Sequence, residues 1–418
     1  AQESRGLGDV YKRQLNSIRR GCRKTVKKMD ISAEFKKKFN TAETPLSVYC
    51  PYRIAPVGAH SDYQHGLISG FAINEGVQLD FLPTEDGSVK LYSLNFEGAA
   101  EFSAFELAQR SYNWGDFAKA AFVSVKRKHR VEKGMIGIIY GSLPVGGLSS
   151  SAAVLISYIC AICKANDIKI NRAELIDLAL YAEHDYLEMN VGKMDQSCEV
   201  YSKKDHLLYL DTLDDSYKLI PTSEKMPPYE FAVIFSGKER KLANTAFNSR
   251  VDEAKAASFA LRAFAGIPYG SFKDSYMRDV PKEVFDEFKG KIPPAWRRRA
   301  EHFYGEFSRV QRGAKAWENG DITEFGRIMF ESGHSSIYNW ETGSAELKTL
   351  YEIMLKCDGI YGGRFSGAGF NGSSVALVDP AKKEQIEAFL KEEYLKVYPQ
   401  YKDDFAVRFV KTADGVDL

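Results

Sequence analysis

The order of apolar and polar positions along the chain predicts a mixture of strands and helices. Runs that alternate apolar and polar residues, or are apolar throughout, predict strands at 46–54, 135–142, 206–211, 230–237, 375–378 and 405–410, and several short strands between 68 and 107 that include 77–82 and 89–92. Apolar residues that recur at helical spacing predict helices at 30–39, 114–128, 152–164, 172–189, 241–264, 295–319, 321–332, 345–357 and 381–395, with a short helical stretch ending at 201. Because strands and helices do not alternate strictly, the pattern favours an α+β fold over a doubly wound sheet.

One stretch in the middle of the chain combines a strand, a glycine-rich turn and a helix start. It runs from Leu143 to Ala153 as LPVGGLSSSAA and leads into the apolar helix predicted at 152–164. Unpaired N–H groups and the positive end of the helix dipole meet at such a point, and glycines let a phosphate approach the backbone. The alternative is a capped core helix after a tight turn, although three consecutive serines exceed what one cap needs. The stretch therefore predicts a phosphate site.

A second cluster of polar residues follows the strand predicted at 46–54. Arg53, His60, Asp62 and His65 lie close together in a turn-rich loop that this strand delivers. Loops at the ends of strands commonly carry binding residues. A polar turn without function is the alternative, because such clusters also arise by chance.

Composition limits the class of protein. With 418 residues the chain is long enough for two or three domains, and the polar stretch 212–228 predicts a boundary that gives domains at 28–225 and 226–418. Lys+Arg 57 balances Asp+Glu 56, which gives no support for nucleic-acid or membrane binding. No apolar run reaches the roughly 18–20 residues of a membrane helix, and no secretory signal is visible.

The six cysteines are scattered along the chain. Cys160 and Cys163 form a close pair inside an apolar helix, and no second pair completes a zinc site. Buried thiols are therefore favoured over a redox or metal motif. Reduced thiols in turn favour a cytoplasmic setting.

The first 27 residues are basic and show little apolar periodicity. We expect residues 1–27 to be an extension that is disordered, or an artefact, since 6–14 resemble a translated sequencing adapter. A basic targeting or binding arm is the alternative.

Three motifs follow one another along the chain: the loop at 52–66, the Gly/Ser turn at 144–153 and a glycine-rich loop at 362–372. Together they resemble the GHMP kinases, the superfamily of galactokinase and of homoserine, mevalonate and phosphomevalonate kinases. The row YRIAPVGAHSDY within the first loop and the row VGKMDQ at 191–196 resemble the galactokinase branch. The resemblance covers the chain from about residue 45 to its end. It implies an N-terminal domain like ribosomal protein S5 domain 2, a ferredoxin-like C-terminal domain and an active site between them.

Ala59 departs from the galactokinase pattern, because it occupies the place of a glutamate that bonds the sugar's C6 hydroxyl. A carboxylate there would repel a C6 carboxylate on the substrate, whereas alanine removes the charge and leaves room. Phe247 in place of the usual tyrosine, Ala368 in place of a glycine, and Lys193 point the same way. This set resembles the galacturonokinases of the branch, which phosphorylate D-galacturonic acid. Lys193 is a candidate counter-charge for the carboxylate, with a solvated or phosphate-contacting lysine as the alternative.

The resemblance also implies how ATP and a metal are held. The implied phosphate-binding residues are Gly146, Gly147, Leu148, Ser149, Ser150 and Ser151. The turn has one glycine fewer than in galactokinases, which changes its shape but keeps its donors and hydroxyls. Mg²⁺ prefers oxygen ligands and retains waters, so the implied ligands, Ser151 and Glu183, suffice. A surface glutamate near a helix end is the alternative for Glu183.

The implied catalytic pair is Asp195 and Arg53. Asp195 would accept or orient the proton of the anomeric hydroxyl, and Arg53 would hold the aspartate ionised. A purely structural ion pair is the alternative. His60, Asp62 and Gly192 are implied to bind the sugar, where opposed donors and acceptors discriminate between epimers.

These inferences predict an ATP- and Mg²⁺-dependent sugar 1-kinase that makes α-D-galacturonate 1-phosphate. Galactokinase, or another kinase of a C4-axial aldose such as arabinokinase, is the alternative within this class. A sensor that binds sugar and ATP without catalysis is the alternative from another class, and the intact serines and Asp195 argue against it. The expected partner is a small sugar, without nucleic acid or membrane, and the expected assembly is a monomer or a homodimer.

Overall fold

The structure is a computed structural model that describes residues 30–106, 109–143, 148, 150–189, 191–238, 244–369 and 372–418. Within 244–247 it describes the backbone alone. The extension predicted at 1–27 lies outside the described residues, as do Gly146, Gly147 and Ser149.

The described helices and strands follow the predicted order. The helices are α1 (Ile31–Phe39), α2 (Asp116–Lys126), α3 (Ser150–Ala165), α4 (Arg172–Tyr181), α5 (Met194–Tyr201), α6 (Asn244–Phe264), α7 (Lys282–Phe288), α8 (Pro294–Asn319), α9 (Ile322–Tyr338), α10 (Ala345–Met354) and α11 (Lys383–Val397). The strands are β1 (Leu46–Ile54), β2 (Leu67–Thr84), β3 (Ser88–Ser93), β4 (Ala99–Ser103), β5 (Gly134–Gly141), β6 (His206–Asp211), β7 (Tyr217–Pro221), β8 (Glu230–Phe235), β9 (Ile360–Phe365), β10 (Ser373–Val378), β11 (Ala406–Val410) and β12 (Thr412–Ala413). The pattern did not predict α7, β7, β9 or β12. Across the described residues, the helices are too short or too polar to span a bilayer.

The first sheet is organised around β2, which is 18 residues long. In the described part of the chain this sheet has 8 strands in the order β4-β3-β5-β2-β6-β7, with β1 and β12 also paired to β2. The sequence predicted several short runs here and was wrong, because β2 meets successive partners along its length: β6 at 67–70, β12 at 72–73 and β5 at 77–84. The apolar helix α3 packs on β1, β2 and β5 and forms the centre of the larger core.

The second sheet has 4 described strands in the antiparallel order β11-β8-β10-β9, and α9, α10 and α11 pack against it. Strand β9 lies in the segment predicted as a glycine-rich loop. Gly362 lets β9 pack closely against α9, because an added Cβ would lie 2.3 Å from the carbonyl oxygen of Gly326 on that helix. The predicted domain limits, 28–225 and 226–418, stay a prediction.

Helices α8 and α9 form a hairpin with recognisable end signals. Pro294 begins α8, and Gly320 ends it in the left-handed region at φ 75°. Asp321 then caps α9 by accepting a hydrogen bond from the N–H of Glu324 at 2.9 Å. The apolar pattern predicted that α9 ends at 332. The helix continues to Tyr338, because the serines in its last turns are buried rather than solvated.

The end of the chain returns to the first sheet. Lys411 alone separates β11 from β12, which pairs with β2. Beyond β12 the N–H of Gly415 donates to the carbonyl of Ser202, and the N–H of Val416 donates to the carbonyl of Glu199, each at 2.8 Å. The last residues therefore hold the C-terminal turn of α5.

Candidate active site

An ion pair between β1 and α5 lies at the centre of the site. Arg53 Nε donates to Asp195 Oδ1 at 2.8 Å, and Nη2 of the same guanidinium lies 2.7 Å from that oxygen. Nη1 donates to the Ser366 hydroxyl at 3.3 Å. Burial opposes the charge of Arg53, but the attraction of Asp195 outweighs it and raises the pKa of Arg53. Arg53 is therefore charged, and the Asp195 side chain is the more accessible member of the pair, with 29 % exposure against 4 %.

Asp62 lies against the backbone that leads into α5. The N–H of Met194 donates to Asp62 Oδ2 at 3.2 Å. Gly192 makes room for this carboxyl, because an added Cβ would lie 1.9 Å from the same oxygen. Burial, and then repulsion from Asp195, raise the pKa of Asp62 to about 7. Near neutral pH this side chain can therefore donate or accept a hydrogen bond toward a hydroxyl.

Glu183 lies in the π-helical turn Ala182–Tyr186 that follows α4 and is 1 % exposed, so the alternative of a surface glutamate is wrong. Gln196 donates to its Oε2, and the Ser151 hydroxyl hydrogen-bonds to the same carboxyl. Burial, and then the charge of Asp195, raise the pKa of Glu183 to about 8. A buried carboxyl beside a hydroxyl is a donor set that suits a cation which keeps several waters.

The loop between β1 and β2 carries Ala59 and His60. Ala59 is 7 % exposed, and its carbonyl oxygen lies 2.9 Å from His302 Nε2 on α8. His60 adopts a left-handed φ of 62°, and its ring stacks on Trp340 with centroids 5.3 Å apart. Burial, followed by repulsion from His302 and two arginines, holds the pKa of His60 well below its ordinary value. His60 is therefore a neutral imidazole at physiological pH.

Three of the predicted substrate residues lie in less direct positions. Lys193, at the start of α5, pairs with Asp215 in the turn between β6 and β7 at 2.5 Å, so its ammonium already has a carboxylate partner. Phe247 lies in α6, and its side chain is outside the described part of the chain. Ala368 is half-buried in the turn after β9. Their roles stay predictions.

The phosphate turn is described in part. Ser150 is the first residue of α3, so the turn leads into a helix start as the pattern predicted. Leu148 buries its side chain in the larger core. The phosphate-binding roles of the turn residues stay predictions.

Sequence reasoning missed a second buried carboxyl behind Asp195. Glu199 follows Asp195 by one turn of α5 and is fully buried, and neither of its carboxyl oxygens has a hydrogen-bond partner among the described residues. Burial, and then the charge of Asp195, raise its pKa well above the ordinary value. The spacing of the two acids is visible in the sequence, but nothing there shows that this face of α5 turns into the core.

Replacing Glu199 with glutamine is expected to stabilise the fold at neutral pH. The unfolded chain ionises this side chain at its ordinary pKa of 4.5, whereas the folded chain keeps it protonated to a higher pH. Burial of the acid therefore costs stability above pH 4.5, and the cost grows as the pH rises. Thermal unfolding from pH 4 to 8 should show a gain in Tm for Glu199→Gln that is absent at pH 4 and largest at pH 8.

Glu318→Gln, a change on an exposed part of α8, is the control and should shift Tm little at any pH. A lower Tm for Glu199→Gln at pH 7 would show instead that the folded protein needs this carboxylate ionised.

Comparison with known proteins places this arrangement in a family. Residues 116–203 match the family model for the GHMP kinases N terminal domain, and residues 314–396 match the model for the GHMP kinases C terminal. A galacturonokinase from Arabidopsis thaliana is 36 % identical over 375 residues, which cover 85 % of this chain and 88 % of that protein. A galactokinase from Thermococcus kodakarensis is 30 % identical over 364 residues, which cover 87 % of this chain and 98 % of that protein.

The fold has close counterparts among solved structures. The crystal structure of Lactococcus lactis galactokinase complexed with galactose superposes with a TM-score of 0.84 at 26 % identity, covering 92 % of this chain and 98 % of that one. Methanococcus jannaschii mevalonate kinase shares the fold with a TM-score of 0.64 at 16 % identity, covering 90 % of this chain and all of the other. The expected α+β fold of two domains is confirmed. From its motifs, its fold and these relatives, the chain belongs to the GHMP kinase family.

Proposed function

We propose that this protein is an ATP-dependent sugar 1-kinase that transfers the γ-phosphate of ATP to the anomeric hydroxyl of D-galacturonic acid. The products are α-D-galacturonate 1-phosphate and ADP. The observation that carries the choice of sugar is the side chain of Ala59, which is buried and uncharged. Among the groups that act electrostatically on the adjacent His60, Arg364 and Arg53 are cations, and their positive charge favours an anionic sugar.

The contact between Arg53 and Asp195 supports the proton route of this reaction. Asp195 accepts the proton of the C1 hydroxyl as that oxygen attacks the γ-phosphorus and the bond to the β,γ-bridging oxygen breaks. Arg53 holds the carboxylate in place by hydrogen bonds, and its positive charge would offset negative charge that develops on the phosphoryl oxygens. Asp62, whose pKa is about 7, and His60, whose imidazole is uncharged, bind hydroxyls of the sugar ring.

ATP is held at the turn that leads into α3. The N–H groups and hydroxyls of this turn bind its phosphates, aided by the helix dipole. The Ser151 hydroxyl and the Glu183 carboxyl fit Mg²⁺, because the ion would supply a positive charge to balance the buried carboxylate. When bound, Mg²⁺ neutralises charge on the transferring phosphates.

A substrate panel tests the proposal. Purified protein is incubated with ATP, Mg²⁺ and D-galacturonate, D-galactose, L-arabinose or D-glucuronate, and ADP formation is followed by a coupled assay. We expect kcat/KM to be highest for D-galacturonate, and phosphorus NMR to place the new phosphate on the anomeric carbon. A higher kcat/KM for galactose would overturn the choice of an acid sugar, and no ADP with any sugar would favour the non-catalytic sensor.

Galactokinase is the second candidate, and the retained sugar-binding pattern favours it. His60, Asp62 and Gly192 match residues expected to bind the hydroxyls that galactose and galacturonate share. The same panel distinguishes the two, because they differ only at the sixth carbon of the substrate.

We also place the protein in a reducing compartment such as the cytoplasm. The described cysteines, Cys50, Cys160, Cys163, Cys198 and Cys357, are free and buried. Burial raises the pKa of Cys163 to about 12, which suits an unreactive core thiol.

A further inference from the structure

Two residues of α8 hold the backbone of the loop at Gly58 and Ala59. Glu306 Oε2 accepts a hydrogen bond from the N–H of Gly58 at 2.6 Å. His302 Nε2 lies 2.9 Å from the carbonyl oxygen of Ala59. Glu306 follows His302 by four positions, so both project from one face of the helix. The peptide groups before Gly58 and after Ala59 are therefore both held by one helix.

The protonation of His302 follows from its partners. A backbone carbonyl only accepts, so His302 Nε2 carries the hydrogen and donates it to Ala59. Nδ1 then accepts from the hydroxyl of Ser335 on α9 at 2.9 Å. Burial lowers the pKa of His302 to about 4, so the imidazole is neutral in the physiological range. His302 is thus held in one tautomer.

Glu306 is fully buried and has partners on both oxygens. Arg309 Nε donates to Oε1 at 2.8 Å, and the Ser332 hydroxyl donates to Oε2 at 3.0 Å. Arg364 Nη1 in turn donates to Ser332 at 2.6 Å. Burial opposes ionisation, but Arg309 and the other cationic and N–H groups outweigh it and lower the pKa of Glu306. A buried carboxylate with this many donors is a rigid anchor, because each donor would be costly to leave unpaired.

We propose that His302 and Glu306 are positioning residues that set the place of residue 59 and thereby the preference for an acid over a neutral sugar. This inference rests on the proposed function, in which residue 59 faces the sixth carbon of the sugar. Both residues act through the loop backbone, and their anchors come from α9 and β9, in the second half of the chain. The loop at Gly58 and Ala59, in the first half of the chain, is therefore positioned by residues of the second half.

The effect should fall more heavily on the acid sugar. A carboxylate that enters a buried site needs its surroundings in one arrangement, because a charge displaced from its stabilising groups loses more free energy than a displaced hydroxyl. A loop that shifts by about 1 Å is enough to change rates strongly. A merely structural role would instead lower activity on all sugars by the same factor.

His302→Leu, His302→Gln and Glu306→Gln test the inference. For each variant kcat and KM are measured on D-galacturonate and D-galactose, and Tm is recorded. We expect His302→Leu to lower the ratio of kcat/KM for galacturonate to that for galactose by about tenfold, in line with loss of one buried hydrogen bond. His302→Gln keeps a donor and should restore the ratio to within about 1.5-fold of the unmodified protein. Glu306→Gln should lower the ratio as His302→Leu does.

Ser124→Ala is the matched control. Ser124 is buried on α2 and donates to the carbonyl of Leu178 on α4 at 2.6 Å, outside the hydrogen bonds that link His302 and Glu306 to the loop. Its loss should lower Tm and leave the substrate ratio unchanged. If His302→Leu does not fold, Ser335→Ala, which frees His302 Nδ1, takes its place with an expected ratio change of about threefold.

An equal loss on both sugars in His302→Leu, or in Ser335→Ala where it is used, would overturn the inference while leaving the proposed function intact. Failure of the proposed function looks different, because the unmodified protein would then turn over galactose and not galacturonate. In that case the positioning role predicts a rise of about tenfold in KM for galactose in His302→Leu with kcat little changed, and an unchanged KM would overturn it.

Discussion

Replacing Asp195 with asparagine is expected to lower kcat by about 10²–10⁴-fold, the usual contribution of a positioned general base. Asparagine has nearly the same shape, and its Oδ1 can still accept the hydrogen bond that Arg53 Nε now donates at 2.8 Å. The change therefore removes the proton acceptor and the charge but preserves the contact. Because His60 and Asp62 supply the sugar contacts, KM for the sugar should change by less than about fivefold.

Steady-state kinetics with the preferred sugar measure this loss, and calorimetric titration of sugar measures binding separately. Asp177→Asn is the control, since Asp177 lies exposed on α4, where it pairs with Lys128, and surface ion pairs contribute little. It should leave kcat within about twofold of the unmodified protein. A value of kcat for Asp195→Asn that is equally close would mean that the Arg53–Asp195 pair is structural.

Replacing Ala59 with glutamate is expected to lower kcat/KM for D-galacturonate about 100-fold and to preserve or raise it for D-galactose. Position 59 is 7 % exposed, so the new carboxylate would be poorly screened by water. Two like charges about 6 Å apart at an effective dielectric constant of about 20 repel by about 3 kcal/mol, which corresponds to roughly 100-fold. The ratio of kcat/KM for the two sugars, measured in one preparation, checks the result.

Ala59→Gln separates charge from size. Glutamine has nearly the same volume as glutamate without its charge, so it should reduce galacturonate turnover far less. Equal losses in the two variants would point to crowding against the loop that His302 holds. Unchanged kinetics in Ala59→Glu would place residue 59 away from the substrate carboxylate.

Elements whose pattern is complete within one segment could be predicted from the sequence. Strand β1 and helix α3 were expected almost to their ends, because β1 is a continuous strand signal and α3 combines an apolar run with a polar start. Strand β2 was predicted as several short strands, since its length depends on partners supplied by distant segments. The predicted end of helix α9 was too early, because the burial of its last serines depends on His302 and Arg364, which the local pattern does not show.

The candidate site divides in the same way. The resemblance to the GHMP kinases implied Arg53, Asp62, Glu183 and Asp195, and the structure brings them close enough to act on one another electrostatically. The ion pair of Lys193 with Asp215 could not be foreseen, because either partner alone is an ordinary surface residue.

By itself the sequence determined the family, the order of most elements and the motifs that carry the chemistry, since these depend on residues that are neighbours along the chain. Tertiary structure alone decided that Glu183 and Glu199 are buried, and that the loop at Ala59 is held by His302 and Glu306, 243 and 248 positions away from their partners. The physical reason is that burial and hydrogen-bond partners set the charge and tautomer of a side chain. Both arise from segments that meet only when the chain has folded.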